Sequence, residues 1–241
     1  MNINLFLSPE SLDDFYFQDK NCVVIDSLRA TSVICTALAN GAKEVIPVAT
    51  FEYAMKISAG IMSGQNLLGG ERNTKKIDGF HVGNSPSEYT PETVSGKSII
   101  LFTSNGTKAI VKAKFSKDLV ICSYLNLKAI ANYLLEKKED FEIVCSAKGG
   151  ALNMEDTVCA GRLISKILEK EKDCTLNDGA TAACALDREF GGNVHKMFRE
   201  SDHGKILTEN GFQDDLEICA QIDALEVVPV FTSGSIKLLN N

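Results

Sequence analysis

Short apolar runs rich in β-branched residues alternate along this chain with stretches where apolar residues recur every three or four positions. Residues 3–7, 22–25, 44–48, 66–68, 97–102, 119–122 and 141–145 read as strands, and the near-continuous apolar character of 22–25 suits a strand buried on both faces. Between them Val33, Ile34, Ala37 and Leu38 share one helical face that ends at an Asn40-Gly41 cap. Phe51, Ala54, Met55, Ser58, Ile61 and Met62 follow the same spacing, as do Ala109, Ile110 and Ala113, and Leu127, Ile130, Ala131, Leu134 and Leu135 behind an Asn126 N-cap. Residues 8–14 read as a turn and the start of a helix. A helix begins near Glu155-Asp156, another covers 180–190, one or two short amphipathic helices fill 194–211, and 216–219 and 227–231 read as extended chain. Strand and helix in alternation predict an α/β fold, three layers (α/β/α) around a mostly parallel or mixed sheet. One domain over 1–241 is expected, with lobes of about 1–95 and 96–241 as the alternative partition. The glycine- and proline-punctuated stretch 69–86 lacks periodicity and reads as a functional loop.

Composition narrows the possible functions. A formal net charge of −7 argues against general nucleic-acid binding, although a local cationic pocket for a small anion remains compatible with it. The eight cysteines form no CxxC pair and most sit inside apolar runs, which predicts buried free thiols in a reducing compartment rather than disulfides or zinc. No apolar run reaches membrane-spanning length, and the N-terminus lacks the basic and apolar regions of a signal peptide, so a cytoplasmic protein is expected. A homodimer is the base-rate expectation for assembly.

Four loops combine groups suited to a phosphate or a divalent cation. Asp26-Ser27-Leu28-Arg29-Ala30-Thr31 places a carboxylate at a strand end, followed by a guanidinium and a hydroxyl at a helix start; the plainer account has Asp26 and Thr31 as caps and Arg29 on the surface. Gly69-Gly70-Glu71-Arg72 sets a carboxylate beside a cation, and Gly83-Asn84-Ser85-Pro86 offers an amide and a hydroxyl on a turn. Thr103-Ser104-Asn105-Gly106-Thr107 precedes a helix and has the donors of an anion cradle without being a Walker loop. Lys148-Gly149-Gly150 with Glu155-Asp156 supplies carboxylates that either complement a helix dipole or ligate a metal. His81 lies in the irregular stretch, while His195 and His203 sit in a polar segment and read as solvated.

Taken together, these blocks resemble the 2-phosphosulfolactate phosphatase family. The match is carried by Ile25-Asp26-x-Leu28-Arg29-Ala30-Thr31, Gly70-Glu71-Arg72 with Gly79-Phe80-x-x-Gly83-Asn84-Ser85-Pro86, Thr103-x-Asn105-Gly106-Thr107-x-Ala109, and Glu155-Asp156 with Cys159-Ala160-Gly161. Asn73-Thr74, His81 and the Ser146–Gly150 loop depart from the family pattern. The resemblance implies Mg²⁺-dependent hydrolysis of a small sulfonated phosphate ester from coenzyme M biosynthesis, (2R)-2-phospho-3-sulfolactate, to 3-sulfolactate and phosphate. Another phosphorylated acid, or a binding module without catalysis, is the alternative. On this reading Asp26, Arg29 and Glu71 are catalytic. Thr31, Arg72, Asn84, Ser85, Ser104, Asn105, Gly106 and Thr107 bind substrate or phosphate, and Mg²⁺ rests on a subset of Asp26, Glu71, Glu155 and Asp156.

Overall fold

Apolar strands that bury both faces need helices on both sides, and the chain supplies them in the alternation its sequence predicts. The computed structural model describes residues 1–13, 15–60 and 64–239. Its strands and helices run β1 Asn2–Phe6, β2 Asn21–Ile25, α1 Ala30–Ala39, β3 Glu44–Val48, α2 Phe51–Gly60, β4 Asn66–Arg72, β5 Lys75–Lys76, α3 Pro91–Val94, β6 Ser98–Phe102, α4 Gly106–Lys112, β7 Asp118–Cys122, α5 Leu127–Lys137, β8 Phe141–Cys145, α6 Met154–Leu168, β9 Thr175–Leu176, α7 Asp178–Phe190, α8 Val194–Glu200, α9 Asp202–Glu209, α10 Gln213–Cys219, β10 Pro229–Thr232 and β11 Ser235–Leu238.

One mixed sheet orders these strands β5-β4-β6-β3-β11-β10-β7-β2-β8-β1-β9. A parallel block (β4, β6, β3) and a second parallel block (β7, β2, β8, β1, β9) flank the antiparallel hairpin β10–β11, which is registered to them through Ile236 opposite Val45 and Val230 opposite Val120. Strands from either side of residue 95 therefore share one sheet. Alternate side chains go to opposite faces. Cys22, Val24, Ile99, Leu101, Leu119 and Ile121 pack with Val33, Ile34, Ala37 and Leu38 of α1 and Ala109 and Ile110 of α4. Val23, Ile25, Val120 and Ile143 pack on the other face with Ile130 and Leu134 of α5 and Leu163, Ile164 and Ile167 of α6. Val48, Ile100 and Phe102 meet Ala54 of α2 in a smaller cluster. The three-layer α/β architecture is thus established.

All eight cysteines are free and six are buried. Burial drives up the thiol pKa of Cys22, Cys35, Cys145 and Cys159, and of Cys219 to about 12, so these are protonated side chains packed as small apolar groups.

Several local expectations are corrected. Residues 8–13 form turns rather than a helix start; Asp14, like Ile61 and Met62 of the expected second helix, lies outside the described residues. Strand β4 runs through Gly69 and Gly70 to Arg72 instead of ending at Leu68, and β5 folds back on it, so Glu71 and Arg72 sit on a strand. These glycines are strand residues of necessity. Gly70 has φ +131° and a Cβ there would collide with the Phe102 carbonyl, while a Cβ on Gly69 would stand 2.5 Å from the Tyr89 hydroxyl. Residues 216–219 are helical (α10), because Phe212, Leu216 and Cys219 recur at i, i+4 and i+7, a period that a four-residue window misses. Asn126 stands at the N-cap of α5 without capping it; its side chain accepts from Ser123 N–H and donates to the Ile121 and Val227 carbonyls.

Candidate active site

Strand register decides which loops meet. Ile25 lies opposite Cys122 and Cys145, so the next residues, Asp26 and Ser146, emerge side by side from β2 and β8. Gly70 lies opposite Phe102, so Glu71 and the Thr103-Ser104 loop emerge together from β4 and β6. The starts of α1 and α4, on one face of the sheet, then bring the two pairs into contact. Gly106 is so close to Asp26 that a Cβ would collide with Asp26 Oδ2 and stand 2.5 Å from the Ala30 Cβ. Gly106→Ala is expected to push Asp26 aside, reducing activity about 10²-fold at a stability loss of about 1–3 kcal/mol. Steady-state kinetics and thermal melts check it, and wild-type rates would exclude the close approach.

Asp26 is buried, and its environment is fixed on all sides. Oδ1 accepts from Ala30 N–H at 3.1 Å, while the Thr31 hydroxyl accepts from Asp26 N–H and donates to the Asp26 carbonyl, at 3.1 and 2.8 Å. Burial pushes the Asp26 pKa up, against the lowering influence of His203 and of the Ala30 N–H, and the Glu71 charge adds to the rise. Asp156, on the first turn of α6, is fully committed to holding loops. Its Oδ1 accepts the Ser27 N–H and hydroxyl at 2.8 and 3.0 Å, and its Oδ2 accepts the Ser146 hydroxyl at 3.0 Å. Burial and the nearby Asp26 and Glu155 charges drive its pKa well above the carboxylate range. Across the cleft Glu71 also holds loops, taking Ser104 N–H at 2.7 Å and its hydroxyl at 3.2 Å, with Thr74 N–H at 2.8 Å, while it faces the cleft.

Arg29 is no surface residue. Its guanidinium is 2% exposed, donates to Asp215 Oδ2 at 2.6 Å and the Thr74 carbonyl at 2.9 Å, and lies 4.3 Å from the centre of the Phe212 ring. Ser85 donates to the other oxygen of Asp215. This buried ion pair ties the start of α1 to α10 and to the β4–β5 hairpin.

These elements enclose a cleft of about 660 Å³. Of the residues expected from sequence, Asp26, Arg29, Glu71, Arg72, Asn84, Ser104 and Asn105 line it, whereas Thr31, Ser85, Gly106, Thr107, Glu155 and Asp156 do not. Thr31 and Thr107 are turn-closing hydroxyls, the latter on the Thr103 backbone. Asn105 makes no capping bond with its side chain, and the Asn84 Oδ1 is buried with no hydrogen-bond partner among the described residues. Arg72 rests 5.8 Å from the Phe51 and Phe102 rings. Lys108 and Lys148 join it, and none of the three has a carboxylate partner among the described residues. Lys108 extends the 103–107 loop by one residue and Lys148 sits in the loop after β8, so position after a strand was a usable signal for both.

His203 carried no such signal, and its reading as a solvated residue is corrected. It lines the cleft, only 19% exposed, with Nδ1 3.3 Å from Glu155 Oε1. Glu155 itself lines an adjoining chamber of about 560 Å³ that shares Lys148, His203 and Ile206 with the main cleft. His81 is structural, its Nδ1 accepting from Leu68 N–H at 2.9 Å.

An α/β sheet with acids, with cations that have no carboxylate partner among the described residues, and with a glycine-tightened helix start around one cleft has the chemistry to hold a small, highly charged anion. The chain belongs to the 2-phosphosulpholactate phosphatase family, whose sequence model matches residues 6–234. It is 38% identical over 237 residues to a probable 2-phosphosulfolactate phosphatase of Caldanaerobacter subterraneus subsp. tengcongensis, covering 98% of both chains. A protein of the same description from Symbiobacterium thermophilum is 42% identical over 217 residues (90% of this chain, 93% of the relative), and one from Clostridium novyi 41% over 231 residues (96% and 97%).

Proposed function

We propose that this chain is a cytoplasmic phosphatase acting on 2-phospho-3-sulfolactate, releasing 3-sulfolactate and phosphate with Mg²⁺ as cofactor. The observation that carries the reading is the charge arrangement of the cleft. In a chain of net charge −7, Arg72, Lys108 and Lys148, which have no carboxylate partner among the described residues, line the space that Asp26 and Glu71 border. A substrate bearing phosphate, sulfonate and carboxylate together calls for that many cations. Family membership supports the same conclusion.

The donor set fits a hard divalent cation. Asp26, Glu71 and the orphaned Asn84 Oδ1 are oxygen donors on one cleft, and no three of His, Cys, Asp and Glu form a cage among the described residues. An ion here would take part of its shell from substrate phosphate and water, as Mg²⁺ commonly does. When bound, it would neutralise charge on the phosphoryl oxygens. The protein's own groups do the rest. Arg72, Lys108 and Lys148 draw in and hold the acidic groups. Arg29, fixed by Asp215, keeps the α1 loop in place. Ser104, pinned on Glu71, and Asn105 shape the wall behind the phosphate, and Asp26 faces the reacting phosphorus. Single-turnover trapping separates attack by Asp26, which leaves a phosphoenzyme, from attack by water that Asp26 orients, which does not.

The test is phosphate release from a panel of small phosphorylated acids, with Mg²⁺ and with chelator. Release that needs the cation and is fastest for the sulfonated ester is expected. Binding without turnover would replace the enzyme with a binding module, and a faster non-sulfonated ester would change the substrate.

A further inference from the structure

Glu155 is a buried carboxylate that the hydrogen bonds described so far leave out. It lies on the first turn of α6, only 2% exposed, and its Oε1 has no hydrogen-bond partner among the described residues. The group that faces this oxygen is the His203 imidazole, Nδ1 at 3.3 Å. A buried carboxylate is costly unless a cation or donor answers it, and here one imidazole nitrogen is what answers. His203 is held from its own side as well: Ser201 caps α9 by accepting Gly204 N–H at 3.0 Å. With Nδ1 turned to Glu155, Nε2 is the ring nitrogen left for the cleft that His203 lines together with Asp26 and Lys148.

The reaction needs such a group. An ester of a secondary alcohol departs as an alkoxide, a poor leaving group unless it is protonated as the P–O bond breaks. The Ser104 hydroxyl is committed to Glu71, whereas the His203 imidazole lines the cleft and can carry a proton on a ring nitrogen. We propose that His203 is the catalytic acid, giving its Nε2 proton to the leaving oxygen, and that Glu155 is the positioning residue that sets its tautomer and orientation. The ester P–O bond breaks with its electron pair going to the alcohol oxygen, which takes the Nε2 proton. Water adds to phosphorus as hydroxide, and the proton it sheds returns through solvent to Nε2. The sum is ester plus water giving alcohol plus phosphate.

This inference rests on the phosphatase reading, and the experiment keeps the two apart. 2-Phospholactate and phosphoenolpyruvate have nearly the same shape, but the first releases an alkoxide and the second a far better enolate leaving group. His203→Gln is expected to lower kcat about 10²–10⁴-fold on phospholactate and less than about tenfold on phosphoenolpyruvate. Glu155→Gln should show the same selectivity with a smaller loss, and Glu155→Asp should recover part of it. Equal losses on both esters, or no loss on either, would overturn the assignment, with melts confirming that each variant is folded. Where the wild type accepts only the sulfonated ester, added imidazole decides: a rate rise with His203→Ala supports the acid role, and no rise rejects it. A wild type inactive on every ester defeats the phosphatase reading instead.

Discussion

Asp26→Asn abolishes turnover, lowering kcat about 10³-fold or more, and at neutral pH it also makes the metal-free protein more stable. Both effects come from one placement. Asp26 sits at the end of β2, buried, with Glu71 across the cleft and Asp156 close behind it. Burial raises its pKa above the unfolded value, so the folded protein binds a proton that the unfolded chain gives up. Stability linked to this group is therefore full below the unfolded pKa and is lost as pH rises through the folded one. Asparagine removes that penalty and also relieves Asp156, whose own pKa the Asp26 charge pushes up. The gain is expected to be about 0.5–2 kcal/mol at pH 7, shrinking toward pH 4 as the wild-type carboxyl takes up its proton. Melts of both proteins across that range in chelator check it; an unstable Asp26→Asn at pH 7, or a gap independent of pH, contradicts it. Added Mg²⁺ should raise the wild-type melting temperature and leave the variant unmoved.

The second large effect is on stability. Arg29 and Asp215 pair at 2.6 Å with side chains 2% and 4% exposed. Arg29→Met leaves the Asp215 carboxylate buried with the Ser85 hydroxyl as its one side-chain partner among the described residues, and removing one partner of such a pair costs about 3–5 kcal/mol. For a chain of this size that corresponds to a fall of roughly 6–20 °C in melting temperature. The double variant Arg29→Met with Asp215→Leu should recover most of the loss, since two apolar side chains leave no charge stranded. A stable Arg29→Met whose defect is confined to a raised KM would instead return Arg29 to the role of a phosphate fork.

The motif Asp26 to Thr31 illustrates what local sequence can carry. An apolar run ending in a carboxylate, followed by helical spacing, determines a strand, a turn and a helix start, because hydrogen bonding and apolar periodicity act over a few residues. The same logic made Glu71, Asn84, Ser104 and Asn105 legible as cleft residues, and it made the buried thiols and the three-layer sheet legible. It failed where a residue's environment is set by distant chain. Gly69 and Gly70 read as loop because the reason for them, the Phe102 carbonyl and the Tyr89 hydroxyl, lies on other elements. The plainer account of Arg29 as a surface residue fails because its partner Asp215 is 186 residues away.

The sequence by itself thus determined the elements, the family and the kind of chemistry that strand ends would present. Only the tertiary structure decided which charges answer one another: Asp156 holding the Ser27 and Ser146 loops, Asp215 holding Arg29, and Glu155 facing His203. The reason is that burial sets the strength of a charge interaction, and burial belongs to the packed fold rather than to any stretch of chain.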